Sequence, residues 1–170
     1  MKQKSESGMW LTVGGMLGLV VGRKLEGLTM VAKGLSQIEA AWRANHPEFQ
    51  GGFKERWNEA ARFYAATHVH KTNRVLHMVG IPMIAGGALG LILFKPFRPF
   101  WFASASTFLG GWVLNIAGHS VFEKNKPAFA DDPLSFVVGP VWDVQQFFKG
   151  RSEVRVQFAT KTSSTAHAQA

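Results

Sequence analysis

The sequence contains no cysteine, and it has few acidic residues compared with basic ones. Without cysteine, the chain can form neither disulfides, nor thiolate zinc sites, nor cysteine-ligated iron–sulfur clusters. Any metal must therefore be held by His, Asp, Glu or backbone oxygen. The 19 Lys and Arg residues against 11 Asp and Glu residues give a net charge of +8. That balance suits nucleic acid, an anionic membrane surface or anionic substrates, but the cations are scattered and form no nucleic-acid-binding motif, which disfavours nucleic acid.

Charged residues are also missing from the middle of the chain. Residues 75–94 contain no Asp, Glu, Lys or Arg, and a helix of that length covers roughly 30 Å, the thickness of a bilayer's hydrocarbon core. A second uncharged stretch, residues 100–122, follows the sequence "KPFRP" (95–99), whose prolines and cations indicate a tight interfacial turn. We therefore predict an all-α protein built on an integral-membrane helical hairpin with flanking amphipathic helices. The alternative is a pair of buried helices in a soluble all-α protein.

The hairpin lies in the middle of three predicted domains. Residues 1–52 form an N-terminal helical extension, in which the apolar stretch 8–22 is short for a span and is interpreted as a membrane-associated helix. A signal-peptide core is the alternative for that stretch. Residues 53–150 form the membrane-embedded functional domain. Residues 151–170 are polar and rich in small residues, which predicts a disordered tail.

The residues that flank the hairpin are also predicted to be helical. Phe53, Trp57 and Tyr64 recur at helical spacing, with Arg56 among the polar residues of the opposite side. This pattern indicates an amphipathic helix at the membrane interface. After the hairpin, Asp132 followed by a proline is typical of a helix start.

The hairpin brings together polar residues that are far apart in the sequence. His77 lies near the start of the first span and His119 near the end of the second, so an antiparallel pair places both on the same membrane side. Asn115, His119 and Glu123 stand at i, i+4 and i+8, which puts them on one helix face. Polar residues inside a membrane usually face a bundle interior and indicate function.

A second group of polar residues precedes the first span. Asn73 is a good N-cap for the helix that contains His77. If a new helix starts there, the chain bends between His68 and His77, and both side chains can reach one centre. The candidate site therefore comprises His68, His77, His119 and Glu123, with His70 and Asn115 as further members.

The residue types of this set define its chemistry. Two or three imidazoles with one carboxylate are the ligands of non-haem iron(II), with open positions for substrate and dioxygen. Zinc with a bound water is the alternative metal. A third interpretation is that these residues cap helices and bind water at the interface.

Two motifs resemble a known family. "HVHKTNRVLHMVGIP" and "GHSVFEKNKPAFADDPLSF" resemble a family of small membrane proteins whose best-known fungal member is an ER-membrane, Fe(II)-dependent 2-hydroxy fatty acid dioxygenase. The resemblance covers roughly residues 61–150 and leaves the first 50 residues uncovered. The residues that match the motifs are His68, Asn73, His77, His119, Glu123, Pro127 and Ala128. His70 matches no histidine of the family, and Asp143 lies where relatives often carry an acidic residue.

The resemblance implies an enzyme. It implies that the histidines of the family's motifs hold Fe(2+), and that a 2-hydroxy fatty acid is cleaved between C1 and C2 with dioxygen, in fatty acid α-oxidation. The expected metal ligands are His68, His77 and His119. Glu123 is expected to be a ligand or an acceptor that orients a histidine, and Asn73 a helix cap that also contributes to the cofactor site.

The expected location is the bacterial inner membrane or the ER membrane. The distribution of cations predicts the orientation of the hairpin in that membrane. Seven cations lie on the histidine side and two in the opposite turn, so the positive-inside rule places the site on the cytoplasmic side. The seven are Arg62, Lys71, Arg74, Lys124, Lys126, Lys149 and Arg151, and the two are Lys95 and Arg98. Two alternatives to the dioxygenase stay open: a non-enzymatic membrane scaffold or lipid-binding protein, and a membrane zinc hydrolase in which Glu123 activates water.

Overall fold

The computed structural model describes residues 2–124, 132–135, 137–139 and 141–145. All regular secondary structure in these ranges is helical, which confirms the predicted all-α class. The helices are α1 (Lys2–Val20), α2 (Lys24–Asn45), α3 (Phe53–Thr67), α4 (Lys71–Leu93) and α5 (Pro99–Ala117), and a π-helical turn, Gly118–Glu123, continues α5. The described residues of 132–145 are called the C-terminal segment below; most of them are helical.

The predicted helical hairpin is formed by α4 and α5. By length and composition, α4 and the stretch Pro99–Glu123 can each cross a membrane. Their outward faces carry large exposed apolar side chains, which include Val75, Val79, Leu89, Leu93, Leu109, Val113 and Ile116. Soluble monomers rarely expose contiguous apolar faces of this kind. These faces are the ones expected of helices that contact lipid.

Glycines bring the backbones of α4 and α5 into direct contact. A Cβ atom added to Gly87 would lie 2.5 Å from the backbone nitrogen of Phe108, and one added to Gly111 would lie 2.5 Å from the carbonyl oxygen of Gly80. Small residues at a helix interface allow this close approach. The spacing of the two helices that carry His77 and His119 is therefore set by backbone contact.

The N-terminal helices form a second hairpin beside the first. A Cβ atom on Gly15 would lie 2.6 Å from the carbonyl oxygen of Gly27, so α1 and α2 are also in close contact. Lys24 Nζ donates to the carbonyl oxygens of Ile92 and Phe94, both at 2.7 Å. The turn between α1 and α2 and the turn between α4 and α5 therefore lie at the same end of the molecule. The shared core consists of Leu19, Ile84, Leu91, Trp101, Ala105 and Phe108.

Helix α3 differs from its prediction at Arg56, which was expected on the polar face. Arg56 is only 2% exposed. Its guanidinium donates to both carboxylate oxygens of Asp132, at 2.6 and 2.8 Å, and to Glu39 at 2.8 Å, and it lies over the ring of Trp42. Burial alone would lower the pKa of Arg56, but the two carboxylates outweigh it and raise the pKa above its usual range. A permanently charged group thus ties α2, α3 and the C-terminal segment together.

Asp132 was predicted to start a helix, but in the structure it starts a turn, and the first helical residue described after it is Ser135. The side chain of Asp132 accepts a hydrogen bond from the Leu134 backbone N–H at 3.0 Å, and its carbonyl accepts one from Ser135 Oγ at 2.6 Å. The predicted tail, residues 151–170, lies outside the described residues, as do Lys126, Pro127, Ala128, Lys149 and Arg151.

Candidate metal centre

Three histidines from separate parts of the chain meet in one buried cluster. His68 ends α3, His77 lies in the second turn of α4, and His119 lies in the π-helical turn. Their ring centroids are 4.7, 4.8 and 4.8 Å apart, and one ring nitrogen of each lies within 4.8 Å of the others. All three side chains are at most 4% exposed. The arrangement is a nearly equilateral triangle that can hold one metal ion.

Backbone carbonyls orient two of these rings. His68 Nδ1 lies 3.0 Å from the carbonyl oxygen of Tyr64, and His77 Nδ1 lies 2.9 Å from that of Asn73. A carbonyl oxygen can only accept, so Nδ1 carries the proton and donates in both cases. The lone pair is therefore on Nε2, the atom left for a metal. Metal-binding histidines commonly have their other ring nitrogen held in this way.

Burial favours the neutral form that a metal ligand requires. His68 lies outside the two membrane-length helices, and burial lowers its pKa to about 3, with a further lowering by His77 and His119. The backbone hydrogen bond to Tyr64 acts in the opposite direction but is the weaker effect. At neutral pH this imidazole is uncharged, so its Nε2 could bind a metal without prior loss of a proton.

The chain bends between His68 and His77, but the cap of α4 is not the one predicted. His70, not Asn73, is the N-cap, and its Nδ1 accepts from the Thr72 backbone N–H at 3.2 Å. His70 itself is exposed and does not belong to the cluster. Asn73 falls in the first turn of α4, where its side chain is turned into the α4–α5 interface, so it cannot cap the helix.

Glu123 lies outside the group of ligand atoms formed by the three histidines. Its Oε1 accepts a hydrogen bond from the backbone N–H of His70 at 2.6 Å, which joins the π-helical turn to the bend before α4. The spacing that placed Glu123 on the face of His119 assumed an α-helix. A π-helix has a different rotation per residue, so that spacing does not carry across the turn.

Two buried amides flank the cluster within the α4–α5 interface. Asn73 packs against Gly118, whose Cα also faces the ring edge of His77, and Asn115 packs against Gly80. Both side-chain polar atoms of Asn73, and Oδ1 of Asn115, have no hydrogen-bond partner within the part of the chain that the structure describes. Unpaired buried amides cost about 1–3 kcal/mol. Unpaired amide atoms beside three imidazoles fit a site in which a metal ion brings oxygen ligands that can supply the missing hydrogen bonds.

Sequence reasoning missed the supports of His68. The ring of Tyr64 stacks on that of His68, with centroids 3.8 Å apart, and its hydroxyl donates to the buried carboxylate of Asp143 at 2.5 Å. Arg74 Nε donates to the same carboxylate at 3.1 Å. The spacing of Tyr64 and His68, four residues apart on a helix, was the available signal for their contact.

The fold and the site define a class: a helical protein with two membrane-length helices and a buried three-histidine site at one end of them. The chain belongs to the family described as 2-hydroxy-palmitic acid dioxygenase Mpo1-like, whose sequence model matches residues 54–152. No curated protein and no solved structure matches the chain. The matched range begins in α3, so α1 and α2 lie outside it.

Proposed function

We propose that this protein is an Fe(II)-dependent dioxygenase that cleaves the C1–C2 bond of 2-hydroxy fatty acids. The observation that carries the proposal is the buried triangle of His68, His77 and His119, found in a chain of the 2-hydroxy-palmitic acid dioxygenase Mpo1-like family. In the balanced reaction, RCH(OH)COOH and dioxygen give RCOOH, carbon dioxide and water. Dioxygen is the sole oxidant, and the acid is shortened by one carbon.

The donor set suits iron(II). Three imidazole nitrogens would bind one side of an ion and leave positions for oxygen ligands, and the chain offers no thiolate that would favour zinc. Bound iron would supply the binding and activation of dioxygen next to the substrate. His68, His77 and His119 would hold it through nitrogen.

The neighbouring residues would act on the substrate's head group. The amide of Asn73, buried beside His77, would hydrogen-bond oxygen atoms in the site. Glu123 would hold the bend at His70 in place, so that His68 and His77 keep their separation. The exposed cations Lys71 and Lys124, near the open end of the hairpin, would attract the substrate carboxylate. Arg74 is instead engaged by Asp143 and Trp142.

The apolar helices would place the acyl chain. The exposed apolar faces of α4 and α5 continue away from the histidine end, so the fatty acid tail would lie in the bilayer with its carboxylate at the surface. The cations at the histidine end support an orientation in which that surface is cytoplasmic.

Turnover with labelled dioxygen tests the proposal. Purified protein reconstituted anaerobically with Fe(II) is given 2-hydroxypalmitate and then oxygen-labelled dioxygen, and the products are analysed by mass spectrometry. The expected result is the odd-chain acid with label in its carboxylate, and no product from palmitate. A zinc-loaded protein that hydrolyses an ester would support the hydrolase. Lack of any metal uptake would support a scaffold or lipid-binding role.

A further inference from the structure

The carboxylate of Asp143 joins the two elements that supply His68 and His77. It accepts the hydroxyl hydrogen bond of Tyr64, which belongs to α3, at 2.5 Å, and the Nε hydrogen bond of Arg74, which belongs to α4, at 3.1 Å. Asp143 is 2% exposed. One buried carboxylate of the C-terminal segment therefore holds both sides of the bend at which the histidine site is built.

Tyr64 transmits this contact to His68 in two ways. Its ring is stacked on the imidazole, with the planes 18° apart, and its carbonyl oxygen accepts the Nδ1 hydrogen bond of His68. The ring orientation and the position of the proton on the imidazole both depend on where Tyr64 lies. The C-terminal segment is built to receive Tyr64, because a Cβ atom on Gly139 would lie 2.6 Å from Cδ2 of that ring.

Arg74 provides the link to α4. Besides its bond to Asp143, its guanidinium lies over the ring of Trp142, 4.8 Å from the centroid. Arg74 is one residue after Asn73, whose carbonyl oxygen holds Nδ1 of His77. The same carboxylate therefore acts on the backbone that orients each of the two histidines.

We propose that Asp143 and Tyr64 are positioning residues of the metal site, and that the C-terminal segment holds His68 at the separation from His77 that one metal ion requires. The inference rests on the proposed metal-binding role of the three histidines. Neither residue belongs to the group of ligand atoms. Loss of groups that orient metal ligands typically weakens metal affinity by about 10- to 100-fold.

The test is a metal-affinity titration of the full-length protein in detergent, with Co(II) as a spectroscopic substitute for Fe(II). Asp143→Asn and Tyr64→Phe keep the shapes of the side chains and remove the charge and the hydroxyl. Ser135→Ala is the matched control, because it removes a hydrogen bond of the same segment, to the carbonyl of Asp132, away from the histidines. Thermal unfolding without metal is measured for all the variants.

The expected result is an affinity for Co(II) about 10- to 100-fold weaker in Asp143→Asn and Tyr64→Phe, with an altered visible spectrum, and unchanged affinity in Ser135→Ala. If one of these two variants fails to fold, nitrogen NMR of the other is used to read the tautomer of His68. A changed tautomer supports the inference, and the wild-type tautomer contradicts it. Wild-type affinity and spectrum in both positioning variants would overturn the inference and leave the proposed function intact. A wild-type protein that binds no metal would instead remove the proposed function itself.

Discussion

Two neighbouring glycines of α4 test the close contact between the membrane-length helices. A Cβ atom on Gly86 would meet nothing within 4 Å, whereas one on Gly87 would lie 2.5, 2.7 and 2.8 Å from the backbone nitrogen, Cα and Cβ of Phe108. Alanine at Gly86 therefore probes open surroundings. Alanine at Gly87, one residue later in the same helix, meets the backbone of Phe108, which cannot rotate away as a side chain can.

The magnitude follows from the size of the clash. Non-bonded carbon atoms are comfortable at about 3.5–4.0 Å, so Gly87→Ala requires α5 to move away by about 1 Å. A gap of that size loses roughly a quarter to a half of the dispersion attraction between facing atoms. We expect Gly87→Ala to lower the free energy of unfolding by about 1–3 kcal/mol. Gly86→Ala should raise it, by up to about 1 kcal/mol, because alanine is the better helix former.

Reversible unfolding in mixed detergent micelles, followed by circular dichroism, measures both variants against the wild type. Opposite shifts for the two substitutions are expected. A Gly87→Ala protein as stable as Gly86→Ala would show that α4 and α5 are not in backbone contact, and that this contact does not set the spacing of the histidines.

Three further experiments probe the ion cluster, the cap of α4 and the titration of His68. Arg56→Ala leaves the buried carboxylate of Asp132 without its partner and should lower the free energy of unfolding by about 3–5 kcal/mol. Arg62→Ala, at an exposed position of the same helix, should lower it by less than about 0.5 kcal/mol. Equal losses in chemical unfolding would contradict the burial of Arg56. His70→Ala removes the cap of α4 and an exposed ring contact with Phe122. Stability should fall by about 1 kcal/mol, while the bound metal, measured by elemental analysis, stays the same. Because burial lowers the pKa of His68 from 6.5 to about 3, the unfolded chain takes up a proton first, and the metal-free protein should lose stability as the pH falls below about 6.5. Thermal unfolding across pH should show a flatter profile for His68→Asn, and a profile as steep as the wild type's would contradict the assignment.

The hairpin and the meeting of its two histidines could be predicted from the sequence. Two uncharged stretches separated by a short proline-containing turn leave little choice but antiparallel helices. That geometry alone brings His77 level with His119. The prediction that His68 reaches the same centre depended on a bend in the chain between His68 and His77. The bend is present, although His70 rather than Asn73 caps the following helix.

The surroundings of the site could not be predicted, because they depend on contacts between distant segments. Arg56 looks like a surface cation in its helix pattern, and its burial is explained only by carboxylates supplied from α2 and by Asp132. The link between Tyr64 and Asp143 likewise joins parts of the chain that no spacing rule relates. Glu123 lies outside the histidine cluster because a π-helical turn, which has no clear sequence signal here, replaces the expected α-helix.

The proposed function depends on His68, His77 and His119 holding one iron ion together. Anaerobic reconstitution with Fe(II), followed by removal of loose metal and elemental analysis, tests it directly when the wild type is compared with His77→Ala and His119→Ala. We expect stoichiometric iron in the wild type and near-complete loss in either variant, with the helical content unchanged. A wild type that retains no iron, or variants that retain as much as the wild type, would contradict it.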